Sequence, residues 1–132
     1  MADQPLSLTY RPDLRALIVR WFESTSDAEL RRDLEAVEQQ AQEHDNCTLW
    51  LLDIRRRQLA SDEVDEWAAH TFFPRLPASL GKPVRVAFLS TPMQLAQVVL
   101  GSSQVVINEA AKSGTRLHFF ADEAAALSWL TR

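Results

Sequence analysis

The sequence predicts an α/β domain with a mostly parallel, mixed sheet, and three features support that prediction. Short apolar strand segments alternate with amphipathic helical segments, an order that favours right-handed crossovers between parallel strands. The first two strand segments follow each other without a helix between them, so we expect an N-terminal β-hairpin. The 132 residues match the size of one domain, typically about 100–150 residues, so we expect 1–132 to fold as a single unit.

The strands are predicted from two kinds of hydrophobic pattern. Leu6 to Tyr10 alternates apolar and polar residues with the two-residue period of a strand that has one exposed face. Thr48 to Ile54 is almost wholly apolar, as expected of a central strand that is buried on both faces. The remaining strands are predicted at Ala16–Phe22, Val84–Leu89 and Thr115–Phe120.

About four helices are predicted, and two of them belong to the first two thirds of the chain. Ser26 and Glu29 form a capping box, after which apolar residues recur every three or four positions. These positions are Leu30, Leu34, Val37 and Ala41. Ser61 caps the second helix, which Pro74 and Pro77 are expected to end because proline lacks an N–H donor.

Two further helices are predicted near the end of the chain. Ser90 or Thr91 caps one of them, and Gly101 follows its last turn. The other spans Asp122 to Thr131. The sequence does not decide between a strand and a helix for 104–112. Its β-branched first half favours a strand, whereas the glycine that follows it favours a short helix.

Composition and charge argue against several functional classes. The chain has 14 Lys and Arg against 18 Asp and Glu, a net charge of −4, so it lacks the basic excess of a nucleic-acid-binding protein. No apolar run approaches the roughly 20 residues of a membrane-spanning helix, so we expect no membrane insertion. The single cysteine, Cys47, cannot form an internal disulfide, and we therefore expect a cytoplasmic protein.

The usual motifs of catalysis, cofactor binding and metal binding are missing from the sequence. The three glycines stand apart, so neither a phosphate-binding loop nor a dinucleotide fingerprint can form. The three histidines lack the spacing of metal ligands, and Cys47 has no neighbouring base that could activate it. We therefore expect no enzymatic activity, no cofactor and no metal.

One group of polar residues follows the carboxyl ends of the predicted parallel strands, where α/β proteins usually bind their ligands. It consists of Asp53, Arg55, Arg56, Arg57, Ser61, Ser90 and Thr91. The arginines, together with the free amides of helices that begin at Ser61 and Thr91, could hold a phosphate or a carboxylate. Alternatively, the arginines belong to a solvated loop whose charge is partly neutralised by the acidic residues at 62–66.

The order of elements and three segments resemble the small STAS-type, SpoIIAA-like domains, whose stand-alone bacterial form is also grouped as STAS/SEC14-like. The segments are Leu49–Asp53, the arginine-rich loop that leads to Ser61, and Thr115–Leu130. The resemblance covers about Leu6 to Leu130. It implies a non-catalytic regulatory or protein-interaction module, and the SEC14-like kinship implies the alternative of a protein that binds a small anion or a lipid.

The antagonist branch of that family docks an anti-sigma kinase and is phosphorylated on a serine in an Asp-Ser-Ser-Gly-Leu-like motif. The corresponding segment, Leu59-Ala60-Ser61-Asp62-Glu63, keeps a serine, lacks the glycine and adds two acids. Because those acids would repel a phosphate on Ser61, we expect Ser61 to be a helix cap rather than a phosphorylation site. A protein partner is expected, and self-pairing of the Leu6–Tyr10 edge into a homodimer is an alternative assembly.

Overall fold

The computed structural model describes residues 6–101 and 103–132, and it has a five-stranded sheet with helices on both faces. The strands are β1 (Leu6–Arg11), β2 (Ala16–Trp21), β3 (Leu49–Asp53), β4 (Val84–Leu89) and β5 (Thr115–Phe120). They lie in the order β1-β2-β3-β4-β5; β1 and β2 pair antiparallel, and the other neighbours pair parallel. The predicted α/β class, mixed sheet and N-terminal hairpin are confirmed.

The helical elements are α1 (Asp27–Glu43), α2 (Asp62–Trp67), a π turn (Ala68–Phe72), α3 (Phe73–Leu80), α4 (Pro92–Leu100), α5 (Ser103–Lys112) and α6 (Glu123–Thr131). Because α2, the π turn and α3 follow one another without a break, they form one helical segment. The stretch left open at 104–112 is helical, since Val106 and Ala110 lie four residues apart and both face the core. No helix within the described ranges is long and apolar enough to cross a membrane.

The two faces of the sheet are covered unequally. Helix α1, the α2–α3 segment and α5 cover one face, whereas α6 is the one helix of the described ranges that closes the core on the other face. Successive side chains of β3 pack into the cores on opposite faces of the sheet. Trp50 and Leu52 face the larger core, Leu51 faces α6, and all three are fully buried. The expectation that the central strand is buried on both faces is therefore confirmed.

Pro74 and Pro77 do not end the second helix, contrary to the prediction, because two features of the structure accommodate them. A π turn precedes Pro74, in which the N–H of Phe73 donates to the carbonyl of Ala68, and Pro74 then falls in the tolerant first turn of α3. Pro77 removes the helical donor for the carbonyl of Phe73, four residues earlier. The buried hydroxyl of Thr115 replaces that donor at 2.7 Å.

We predict that Thr115→Val lowers the free energy of unfolding by about 1–3 kcal/mol, because the buried Phe73 carbonyl then has no donor. Thr115→Ser is the control: it keeps the hydroxyl, and its cost should stay near the roughly 0.8 kcal/mol of one buried methyl group. Urea unfolding of both variants measures the difference. Equal losses for valine and serine would show that this hydrogen bond does not accommodate Pro77.

Candidate functional site

An ion network lies where β3 ends. Asp53 is only 6% exposed and accepts hydrogen bonds from Arg20 at 2.8 Å and from Arg55 at 2.9 and 3.0 Å. Arg20 also donates to Glu123, in the first turn of α6, at 2.8 Å. Burial by itself would raise the pKa of Asp53, but the hydrogen bonds from Arg55 and Arg20 hold it below its ordinary value. Arg55 and Arg20 are thus engaged with internal carboxylates, and the network ties the start of α6 to the sheet.

We predict that this network stabilises the fold in a pH-dependent way. Because the pKa of Asp53 is lower in the folded than in the unfolded chain, its stabilising effect is complete above the unfolded value of about 3.9 and disappears as pH falls through the folded-state value. Asp53→Asn should therefore lower the Tm at neutral pH and flatten the fall in Tm during acidification below about pH 4.

Asp45→Asn is the matched control for this experiment. Asp45 is exposed and has a φ of 55°, a conformation that asparagine also adopts readily. The control should follow the wild-type curve of Tm against pH. Parallel curves for wild type and Asp53→Asn would contradict the stabilising role of the network.

The loop after β3 is fixed by Gln94, a buried residue of α4. Its Nε2 donates to the carbonyl oxygens of Ile54 at 2.9 Å and Arg57 at 2.8 Å. Its Oε1 accepts the N–H of Thr91 at 2.8 Å, while the Thr91 hydroxyl accepts the N–H of Gln94 at 3.1 Å. One amide side chain therefore completes the capping box of α4 and anchors the neighbouring loop.

The role of Gln94 was not predicted from the sequence, although the residue type carried a signal. A capping box accepts either glutamate or glutamine at its third helical position, but only glutamine has two N–H donors left for other groups. The choice of glutamine at position 94 is therefore explained by the two loop carbonyls that it binds.

We predict that Gln94→Glu lowers the free energy of unfolding by about 1–3 kcal/mol at neutral pH. The carboxylate can still accept the N–H of Thr91, but it faces two carbonyl oxygens that lose their donors. Gln97→Glu, on the exposed side of the same helix, should change stability by less than about 0.5 kcal/mol. Chemical denaturation measures the free energy of unfolding of the two variants. Equal losses for Gln94→Glu and Gln97→Glu would contradict the anchoring role of Gln94.

The remaining two arginines of the loop point in different directions. Arg57 is only 8% exposed; its Nη1 donates to the Thr25 hydroxyl at 3.1 Å and its Nε to the carbonyl of Gln58 at 3.1 Å. Burial lowers the pKa of Arg57 from its ordinary value, an effect that nearby carboxylates partly offset. Arg56 is exposed, and its guanidinium lies over the ring of Phe22 at 5.8 Å. Within the described ranges, no carboxylate pairs with Arg56.

The hydroxyl residues of the predicted site are used in helix capping or buried. Ser61 caps α2 as predicted: its Oγ accepts the N–H of Val64 and donates to Asp27 at 2.9 Å. Thr91 is occupied in the capping box of α4. Ser90 is 1% exposed, and its Oγ has no hydrogen-bond partner in the part of the chain that the structure describes. The seven residues are thus distributed over several local arrangements along the edge.

Apolar side chains are exposed on two elements that the loop contacts, the end of β2 and α4. Phe22, directly after β2, is 45% exposed, and α4 exposes Met93, Val99 and Leu100 by 69–89%. The loop between them is bonded to both sides, to Ser24 and Thr25 before α1 and to Gln94 in α4. We call Phe22, Arg56 and the three exposed residues of α4 the carboxyl-edge surface.

A small cavity lies between this loop, α2, α5 and the sheet. Its volume is about 70 Å³, and its lining includes Leu59, Ala60, Val64, Phe88, Val106 and Phe119. An engineered apolar cavity that binds benzene has about twice this volume, roughly 150 Å³. The cavity in this conformation is therefore too small for a lipid chain.

The comparison with solved structures agrees with the observed architecture. No family model matches the chain, and no curated protein matches its sequence. The structure is similar to the crystal structure of an uncharacterised DUF3478-family protein from Shewanella loihica PV-4, described as having a SpoIIAA-like fold. The similarity has a TM-score of 0.53 at 15% identity and covers 98% of each chain. The chain therefore has the SpoIIAA-like α/β fold that its sequence predicts.

Proposed function

We propose that this domain is a non-catalytic module that docks a protein partner through its carboxyl-edge surface. The observation that carries the proposal is the pair formed by Phe22 and Arg56, an exposed aromatic ring with a guanidinium 5.8 Å from its centre. Aromatic and arginine side chains are the types that contribute most binding energy at protein interfaces. Helix α4, which Gln94 joins to the same loop, exposes further apolar side chains.

The loop that carries Arg56 is held by hydrogen bonds to other parts of the domain. Gln94 holds two of its carbonyl groups, and Arg57 is bonded to Thr25 on the opposite side. A surface that is held in one conformation loses less entropy on binding than a mobile loop does. The internal hydrogen bonds therefore favour recognition by this surface.

The chemistry of the surface favours a protein with an apolar patch and a carboxylate. The carboxylate would pair with Arg56, which lacks an acidic neighbour among the residues described, and the apolar patch would cover Met93 and Leu100. Helices that lie on membranes usually carry Lys or Arg beside their apolar face, whereas Pro92–Leu100 contains no charged residue. A protein surface is therefore favoured over a lipid surface.

A small-ligand protein is the second candidate, favoured by the apolar cavity under the same loop. The cavity would have to expand, with movement of the loop or of α5, before a ligand larger than a few atoms could enter. The anchoring of the loop by Gln94 opposes such movement. We therefore rank this function below protein docking.

We predict that affinity capture from the host cell recovers one stoichiometric protein with the wild-type domain, and that Arg56→Glu and Phe22→Ser each abolish its recovery. With the purified partner, each substitution should weaken the Kd by about tenfold or more, as expected for central interface residues. Arg116→Glu, an equal charge change at an exposed position of β5, is the control and should bind normally.

Two results would contradict the proposal. Equal recovery of the partner by wild type, Arg56→Glu and Phe22→Ser would place the interface elsewhere. A bound small molecule in native mass spectrometry, or sedimentation with vesicles, in the absence of any captured protein would favour ligand or membrane binding instead.

A further inference from the structure

Three arginines surround an open pocket of about 420 Å³ at the opposite edge of the sheet, where the parallel strands begin. Arg15 comes from the β1–β2 turn, Arg85 from β4, and Arg132 follows α6. We propose that this amino-edge pocket binds a small amphipathic anion, with a carboxylate or phosphate head and a short apolar tail. The proposal concerns a different surface from the carboxyl-edge surface and does not depend on it.

The charge of the pocket favours an anion. The single acidic residue in its lining, Asp13, is already paired with Arg11 at 2.6 Å. The three arginines of the pocket therefore contribute positive charge that this carboxylate does not neutralise. Guanidinium groups offer paired N–H donors whose geometry matches carboxylate and phosphate oxygens.

Arg85 is held in place for such a role. It is half-buried, its Nη1 donates to the main-chain oxygens of Trp129 at 3.0 Å and Arg132 at 3.1 Å, and its guanidinium lies 5.7 Å from the centre of the Trp129 ring. Its Nε and Nη2 have no acceptor among the described residues. A positioned arginine with unused donors is suited to bind an anion.

The backbone of Arg15 has a conformation that arginine seldom adopts, at the end of the loop that joins β1 to β2. Its φ is 53°, in the left-handed region that glycine, asparagine and aspartate adopt most readily. The other described non-glycine residues with positive φ are Asp45 and Asn46, which belong to those tolerant types and lie before β3 at the same edge. A left-handed residue commonly closes a hairpin loop, and here this conformation occurs at the residue whose side chain lines the amino-edge pocket.

The size and the remaining lining of the pocket define the class of ligand. Its volume lies within the roughly 300–1,000 Å³ of typical small-molecule sites. Leu14, Leu49 and Leu130 add an apolar wall beside the arginines. A short aliphatic chain can lie against that wall while its anionic head binds the arginines.

The test is an NMR titration of the intact domain with hexanoate, hexyl phosphate and hexanol, monitored at the indole N–H of Trp129. We expect a saturable shift with at least one of the two anions and none with hexanol, and the two anions distinguish a carboxylate site from a phosphate site. Arg15→Asn should weaken the Kd by about tenfold through loss of a charge-assisted contact. The same substitution should leave the Tm unchanged or raise it, because asparagine tolerates positive φ.

Arg32→Asn, at an exposed position of α1, is the control and should bind as the wild type does. The proposal is overturned by the absence of a saturable shift with both anions, or by hexanol binding as tightly as they do. An Arg15→Asn protein that retains its Tm and the wild-type affinity would overturn it as well.

Discussion

The buried side chain of Gln94 fixes the carboxyl edge of the sheet, on which the proposed function depends. The chain leaves β3 at Asp53 and must turn beside α4, where the carbonyl groups of Ile54 and Arg57 are shielded from water. Buried carbonyl groups need donors, and Gln94 supplies both of them from a helix that follows 40 residues later. Once this part of the loop is fixed, Arg57 bonds inward and Arg56 remains exposed beside Phe22.

Acidic and basic residues are distributed unevenly over the domain. Helices α1 and α2 carry more than half of the acidic residues of the chain, and both pack on the same face. Helix α6 packs on the other face, and arginines lie beside the end of that helix around the amino-edge pocket. Although the net charge is −4, the domain has a local basic region, which could not be predicted from the composition.

Elements with strong local signals could be predicted from the sequence, whereas features that depend on distant partners could not. The capping box at Ser26 and the apolar run of β3 are local, and both are found in the structure. The continuation of the helix through Pro77 depends on Thr115, which lies far along the chain. Position in the sequence places all three loop arginines near the same strand end. The orientation of each arginine side chain depends on residues outside the loop, such as Thr25, which binds Arg57. The sequence therefore could not distinguish exposed Arg56 from buried Arg57.

Native-state hydrogen exchange of the loop after β3 tests the account most directly. The amides of Ile54, Arg57 and Gln58 donate to Leu89, Ile54 and Ser24 respectively. The amide of Arg56 has no acceptor among the described residues. The account predicts slow exchange at the first three amides and fast exchange at Arg56, in the free domain without a partner. Exchange at Ile54, Arg57 and Gln58 as fast as at Arg56 would show that the loop is mobile, and it would contradict the claim that the docking surface is formed in advance.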